Sequence, residues 1–319
     1  MYYYHLFGRT FASEIEFPEL TGAPANDVHW TLREMAVPPS PDPLPLMGTE
    51  EVSDGVTVAL RGTSTRFRLT YDDTGSFDIS DGGRTIVWHR PTDAPAELRN
   101  VRTDILGRVM AVALDAAGIP TLHGSGVALR GAGVLFLAPK RHGKSTTAAA
   151  LVQAGGQLLG DDMLAVVLED QPMVLPGVPA VNLWRDAASW LRPAAVPCEP
   201  TGKQRIDWQS LGSCADQPVP LGAVYLLAPA DPEAGVRVRR EQLPSVEAAL
   251  ALVGQAKIGA LLGPGNAPRL LAQCATLSAA VPVYRLTVPR ELGRLDDLVR
   301  CVGEWNETPL RTGGGAPVW

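Results

Sequence analysis

No run of residues in this chain is apolar for long enough to span a membrane, so no membrane partner is expected. Basic charge is also short. The 28 Lys and Arg stand against 34 Asp and Glu, a net charge of −6, which argues against general nucleic-acid binding. Metal-type cysteine spacing is absent: Cys198, Cys214, Cys274 and Cys301 are scattered and read as reduced thiols. The start, Met1-Tyr-Tyr-Tyr-His-Leu-Phe7, lacks the basic region and long apolar stretch of a secretory signal, so a cytoplasmic location is the expectation. No internal repeat is visible. Strands and helices do not alternate strictly, so a mixed sheet is expected rather than a purely parallel one.

What is present suits a globular α/β protein. The chain has 319 residues, 45% hydrophobic, enough for one large domain or two moderate ones. Residues 1–100 read as a small β-rich domain. Its candidate strands are Tyr2 to Phe7, Val28 to Leu32, Val56 to Leu60, Arg66 to Tyr71, Ser76 to Ile79 and Thr85 to His89, separated by turn formers such as Asp81-Gly82-Gly83. Val37 to Pro45 holds five prolines and reads as an extended loop. Residues 101–319 begin with a helix from Thr103 to Ala117, its apolar face carried by Ile105, Leu106, Val109, Val112 and Ala113. Strands follow at Thr121 to Leu129, Val134 to Leu137, Gln157 to Leu159, Met163 to Leu168, Met173 to Leu175, Ala223 to Leu227 and Val283 to Val288. Helices are expected at Val246 to Ile258, Arg269 to Ala279 and Leu292 to Trp305. Trp184 and Trp190 are read as core residues.

The chemistry centres on the segment from Gly133 to Thr147. It fits the phosphate-binding pattern G-x-x-x-x-G-K-[ST] at every fixed position but the first, where Ala138 replaces Gly. Gly143 lets backbone amides approach a phosphate. Lys144 can reach the β- and γ-phosphates, and the Ser145 hydroxyl can hold Mg²⁺. The positive end of the following helix favours an anion. Ala138 is acceptable if its φ is negative, because Gly is needed only for positive φ. Pro139, Lys140, Arg141, His142 and Thr146 complete the candidate nucleotide-binding loop. The cations among them suit a polyphosphate or are solvated at an exposed tip.

Asp161-Asp162 stands sixteen residues after Ser145, at the end of the next strand. One carboxylate can hold Mg²⁺ and the other can accept the proton of an attacking hydroxyl. Adjacent residues on an extended strand face opposite ways, so they are not expected to share one role. Both can instead cap a turn. His123, just before the loop strand, can bond a phosphate or tune the carboxylates, or be a satisfied hairpin histidine. Gly202-Lys203-Gln204-Arg205 is a short basic cluster. Its arginine can stabilise charge on a transferring phosphoryl group, or the cluster is a solvated turn.

Leu122-His123-Gly124, Gly143-Lys144-Ser145 and Asp161-Asp162, in this order, resemble the catalytic domain of the HPr serine kinase/phosphorylase family. The resemblance implies a P-loop fold with a mixed sheet, related to phosphoenolpyruvate carboxykinase. A narrower likeness covers nearly the whole chain, to HPr-kinase-like proteins encoded with peptide natural-product clusters, lasso-peptide clusters among them. It rests on the Tyr-rich first strand with Ala12-Ser13-Glu14-Ile15, Pro176-Gly177-Val178-Pro179 with Leu183-Trp184, Lys203 with Arg205, and Val281-Pro282-Val283-Tyr284-Arg285-Leu286. It implies ATP- and Mg²⁺-dependent phosphorylation of a precursor peptide at a C-terminal serine, beside other peptide-maturation enzymes. By that resemblance Lys144 binds phosphates, Ser145 and Asp161 meet the metal, and Asp162 is the base. His123 assists at the phosphate, and Lys203 and Arg205 bind or stabilise the phosphoryl group. The glycine-rich signature that engages HPr is not evident around Pro176 to Arg185, so HPr is not the expected acceptor. A nucleotide-binding scaffold and a kinase for a small hydroxylated metabolite are the rival expectations.

Overall fold

The computed structural model describes residues 1–41, 43–53, 55–91, 96–191, 203–207, 210–230, 237–289 and 291–306. Among them, residues 2–89 form one nine-stranded sheet and residues from 121 onward form a ten-stranded mixed sheet. A helical segment, Leu98–Ala116, lies between the two in the chain.

The first sheet runs, edge to edge, Thr21–Gly22, Tyr2–Leu6, Arg9–Ser13, Val28–Met35, Thr85–His89, Gly75–Ser80, Phe67–Tyr71, Val56–Gly62, Leu46–Ser53. Three of these strands are not expected from sequence: the two-residue Thr21–Gly22, Arg9–Ser13 and Leu46–Ser53. Arg9–Ser13 follows a tight turn in which both Phe7 (φ 48°) and Gly8 (φ 69°) are left-handed. Such turns are ordinarily signalled by Asn-Gly, not Phe-Gly. Phe7 holds this conformation while fully buried, edge-on to Trp30 at 6.3 Å. Leu46–Ser53 is an edge strand, and edges carry charge and glycine that obscure the apolar alternation.

The helical segment is not the single helix expected from Thr103. It begins at Leu98, loosens into a wide π-type turn over Ile105–Val109, and resumes at Met110. Gly107 (φ −95°, ψ −106°) is the break, consistent with the weak hold of glycine on a helix interior. Val101, Ile105, Val109 and Met110 pack into the same cluster as Trp30, Phe77 and Trp88, and that cluster continues into Met163 and into Ala165 and Leu175 of the second sheet. Ion pairs Arg102–Glu19 (2.8 Å) and Arg108–Glu50 (2.6 Å) brace the segment against the first sheet.

In the second sheet Ala132–Leu137 is buried at every position, as a strand covered on both faces must be. It pairs antiparallel with Gly124–Leu129 and parallel with Val219–Pro229, which in turn pairs parallel with Val283–Val288. Phe136, Tyr225 and Tyr284 stack across these three strands at 5.7 and 5.4 Å. Arg240 covers the outer ring at 4.6 Å and bonds the Tyr225 hydroxyl. Fully burying an aromatic of this size contributes about 1.5–3 kcal/mol. The strand ends that carry the functional loop are therefore held by a stiff support.

Candidate active site

The loop after Ala132–Leu137 leads into the helix Lys144–Gln153. Gly143 stands at the helix entrance with φ 85°, while a Cβ there would meet nothing within 4 Å. The backbone angle, not crowding, calls for glycine. Ala138 is absent from the left-handed residues and is buried in the core, so its position does not need glycine. The strained residue of the loop is Arg141 (φ 67°). Its guanidinium lies over the Trp184 ring at 4.7 Å. His142 Nδ1 donates to the Lys140 carbonyl at 2.9 Å. Lys144 is buried and donates to the carbonyls of Ala138 (2.7 Å) and Pro139 (3.0 Å), spanning the loop.

Asp161 ends the strand Gln157–Asp161 beside the helix start. Its Oδ1 accepts the hydroxyls of Ser145 (2.8 Å) and Ser125 (2.6 Å), and its Oδ2 accepts the Asn182 amide (2.8 Å). Asp162 turns away through a left-handed backbone (φ 73°), a conformation that Asp tolerates better than most residues. The two carboxylates diverge because of this turn rather than by the alternation of a continuing strand. Asp162 Oδ2 meets Lys257 Nζ at 2.5 Å, and His123 Nδ1 lies 3.3 Å from Oδ1 and 3.1 Å from the Asp162 carbonyl. Both neighbours of that imidazole nitrogen are acceptors, so Nδ1 carries the proton. Burial alone would raise the Asp162 carboxyl. The Lys257 ammonium and the His123 hydrogen bond outweigh it and hold the group well below the usual carboxylate range. The side chain is 47% exposed toward the cleft, whereas Lys257 is only 7% exposed.

Lys257 is the residue of this candidate site that sequence reasoning misses. The expected helix from Val246 to Ile258 ends at Val253, before Gly254. Residues 255–257 instead run beside 121–123, with His123 N–H donating to the Gln255 carbonyl and Lys257 N–H to that of Thr121. His123 interrupts what reads as one strand, Thr121 to Leu129. A side chain at Gly124 would stand 2.7 Å from the Phe136 carbonyl, so the His-Gly pair is fixed by the close approach of the loop strand.

These groups open on a cleft of about 590 Å³ at the carboxyl ends of the parallel strands, the usual position for a ligand in an open α/β sheet. Its floor holds His123, Lys144, Ser145, Asp161 and Asp162, with Lys140, Arg141, His142, Gly143 and Thr146 at the loop side. An apolar wall of Pro229, Val288, Pro289 and Leu292 faces them. Arg205 does not reach this cleft. It bonds the Glu19 carbonyl at 3.4 Å and lies 3.6 Å from Asp207, which corrects its expected place at the phosphates: its strand, Lys203–Asp207, pairs with Ala180–Trp184 and carries it to the far side of Asn182. Gly202 and the Lys203 side chain lie outside the described residues. Trp190 is 53% exposed, not a core residue, and Trp184 borders the cleft. Cys198 lies outside the described residues, and Cys214, Cys274 and Cys301 are free thiols.

Among the described residues, no group of three His, Cys, Asp or Glu could hold a metal ion by side chains alone. Ser145 with Asp161 nonetheless fits Mg²⁺, which keeps several waters and takes one or two carboxylates together with phosphate oxygens. No described helix is long and apolar enough to cross a membrane.

No family model matches the chain, and no curated protein matches it. Among solved structures, the Hpr(Ser) kinase/phosphatase from Coxiella burnetii is similar over 59% of this chain and 89% of its own, at 16% identity and a TM-score of 0.34.

Proposed function

We propose that the chain is an ATP-dependent kinase that phosphorylates a serine hydroxyl of a ribosomal precursor peptide, C-terminal by the resemblance to lasso-peptide-associated HPr-kinase-like proteins. A cytoplasmic setting and other peptide-maturation enzymes as partners belong to the same reading. The observation that carries phosphoryl transfer is the 2.8 Å contact of Ser145 with Asp161, with Asp162 turned out of that contact and held ionised beside it. A lone phosphate loop needs no such second carboxylate.

The nucleotide's phosphates meet the amides at the start of Lys144–Gln153, which lack helical acceptors. Lys144 exchanges its loop carbonyls for phosphate oxygens. Pro229, Val288 and Leu292 offer the base an apolar wall. Ser145 and Asp161 would hold Mg²⁺, which when bound supplies charge neutralisation at the phosphate oxygens. The acceptor oxygen forms its bond to the γ-phosphorus in line. The bond to the β–γ bridging oxygen breaks, and ADP leaves with the electron pair. The hydroxyl proton passes to Asp162 and then to solvent. A carboxylate so well stabilised is a weak base, so positioning and charge stabilisation do most of the work.

Purified protein incubated with Mg²⁺, ATP and a candidate precursor peptide should add the mass of one HPO₃ to the peptide. Lys144→Ala should abolish the gain. No gain in the wild type, or the same gain in Lys144→Ala, overturns the reading. ATP binding by titration without any turnover would leave the nucleotide-binding scaffold in its place.

A further inference from the structure

A second cavity, of about 150 Å³, lies on the other side of the carboxylate pair. Asp161, Asp162 and Asn182 line both cavities. The remaining walls come from outside the loop region: Glu19 in the turn before the strand Thr21–Gly22, Thr103 and Gly107 of the interrupted helix, and Arg205. The wide turn at Ile105–Val109 therefore faces this cavity, and turns of this type are frequent at functional sites.

Glu19 is the telling residue. It is 15% exposed, its Oε1 accepts Arg102 Nε at 2.8 Å, and its buried Oε2 has no hydrogen-bond partner. A buried carboxylate oxygen left unpartnered is costly and asks for a donor. At 150 Å³ the cavity is smaller than the about 300 Å³ of the smallest drug-sized sites. It suits one small residue of an extended chain rather than a bulky metabolite.

We propose that this cavity is the acceptor subsite of the phosphoryl transfer and that the N-terminal region supplies its specificity through Glu19. The hydroxyl-bearing residue of a peptide enters past Thr103. Its main-chain N–H is taken by Glu19 once the side chain swings its buried Oε2 to the cavity, and its hydroxyl reaches Asp162 from the side opposite the loop, as in-line attack requires. The inference rests on the kinase reading above.

The test uses the full chain, Mg²⁺-ATP and a pool of synthetic decapeptides, each with a single serine. Kinetics are then measured with the best acceptor for the wild type, Glu19→Gln and Thr103→Trp. Glu19→Gln keeps the side-chain shape but cannot offer acceptors to both Arg102 and the peptide. Thr103 is exposed, so tryptophan there narrows the entrance without entering the core. Both variants should raise the acceptor KM, Glu19→Gln about tenfold or more, the loss expected for one charge-assisted hydrogen bond, and Thr103→Trp by obstructing the entrance. The nucleotide Kd and the saturating kcat should stay near wild type. Unchanged acceptor KM in both variants, with transfer intact, overturns the subsite and leaves the kinase reading standing. A loss of melting temperature in Glu19→Gln together with normal kinetics in Thr103→Trp makes Glu19 a brace for Arg102 and also overturns it. Failure of the wild type to phosphorylate any peptide in the pool removes the peptide-kinase reading itself.

Discussion

The loop side and the far side of the strand end at residues 161–162 treat two identical side chains in opposite ways. Asp161, on the loop side, accepts two hydroxyls and an amide, and no cation pairs with it among the described residues. Asp162, one residue on, is matched by an almost fully buried lysine and a histidine N–H. Hydroxyl and amide donors orient a carboxylate without cancelling its charge, so Asp161 is left to meet the Mg²⁺ of a bound nucleotide. A lysine fixes both charge and direction, so Asp162 is an ionised group aimed at one place. Neighbouring residues acquire separate roles from their partners, and the left-handed turn at Asp162 is what gives each its own set.

The largest break in this comparison should come from exchanging each carboxylate for its amide. Asp162→Asn should lower kcat by about 10²-fold, the low end of the range for a lost acid–base group because so stabilised a carboxylate is a weak base, while Mg²⁺-nucleotide affinity is retained. Asp161→Asn keeps one acceptor but turns an amide donor toward the Asn182 N–H. It should weaken nucleotide binding in the presence of Mg²⁺ far more than in its absence. Titration calorimetry with and without the ion, beside single-turnover rates, separates the two. Identical profiles for the two variants would mean that the division of labour is wrong.

The next effect is on pH dependence. With Lys257 in place, Asp162 is ionised at every pH above its ordinary value of 3.8, so it sets no acid limit near neutrality. Its depressed value also contributes stability that is present above pH 3.8 and lost as the pH falls through the folded-state value. Lys257→Gln removes the main cause of the depression and leaves burial to raise the group. The acid limb of kcat/KM should then move upward by about one unit or more, the usual influence of one close opposite charge. His123→Gln should move it in the same direction by less, because the Lys257 charge is the stronger cause. An acid limb unmoved in Lys257→Gln would show that another group controls it.

Much of this frame was legible in the sequence because it is written locally. The buried strand before the loop, Gly143-Lys144-Ser145 and the aspartate pair each depend on residues close together in the chain. The structure brings Ser145, Asp161, Asp162 and His123 into one cleft. Lys257 was illegible because its partner is 95 residues away and its local pattern continues a helix through Gly254. Arg205 was misplaced because basic character says nothing about which side of a sheet a later strand will reach. The Phe7-Gly8 turn hid a strand because a buried aromatic takes the place of the residue that signals such turns. Glu19 carries no motif at all, and only its unpartnered oxygen marks it.

The smallest expected effect lies at the loop's unusual half. Arg141 adopts a left-handed backbone that costs a non-glycine residue about 1–2 kcal/mol, and its guanidinium rests on Trp184. Cation–π contacts at exposed sites contribute about 0.5–1 kcal/mol, so the ring offsets part of that cost. Trp184→Ala should release Arg141 and weaken nucleotide binding about two- to fivefold, with kcat unchanged. Trp184→Phe keeps an aromatic face and should recover most of the loss. Equal affinities for the two variants would mean that the ring acts by shape at the cleft edge rather than through Arg141. The loop's tolerance of Arg at a left-handed position would then have to come from its backbone contacts, the Lys144 bonds to Ala138 and Pro139 foremost.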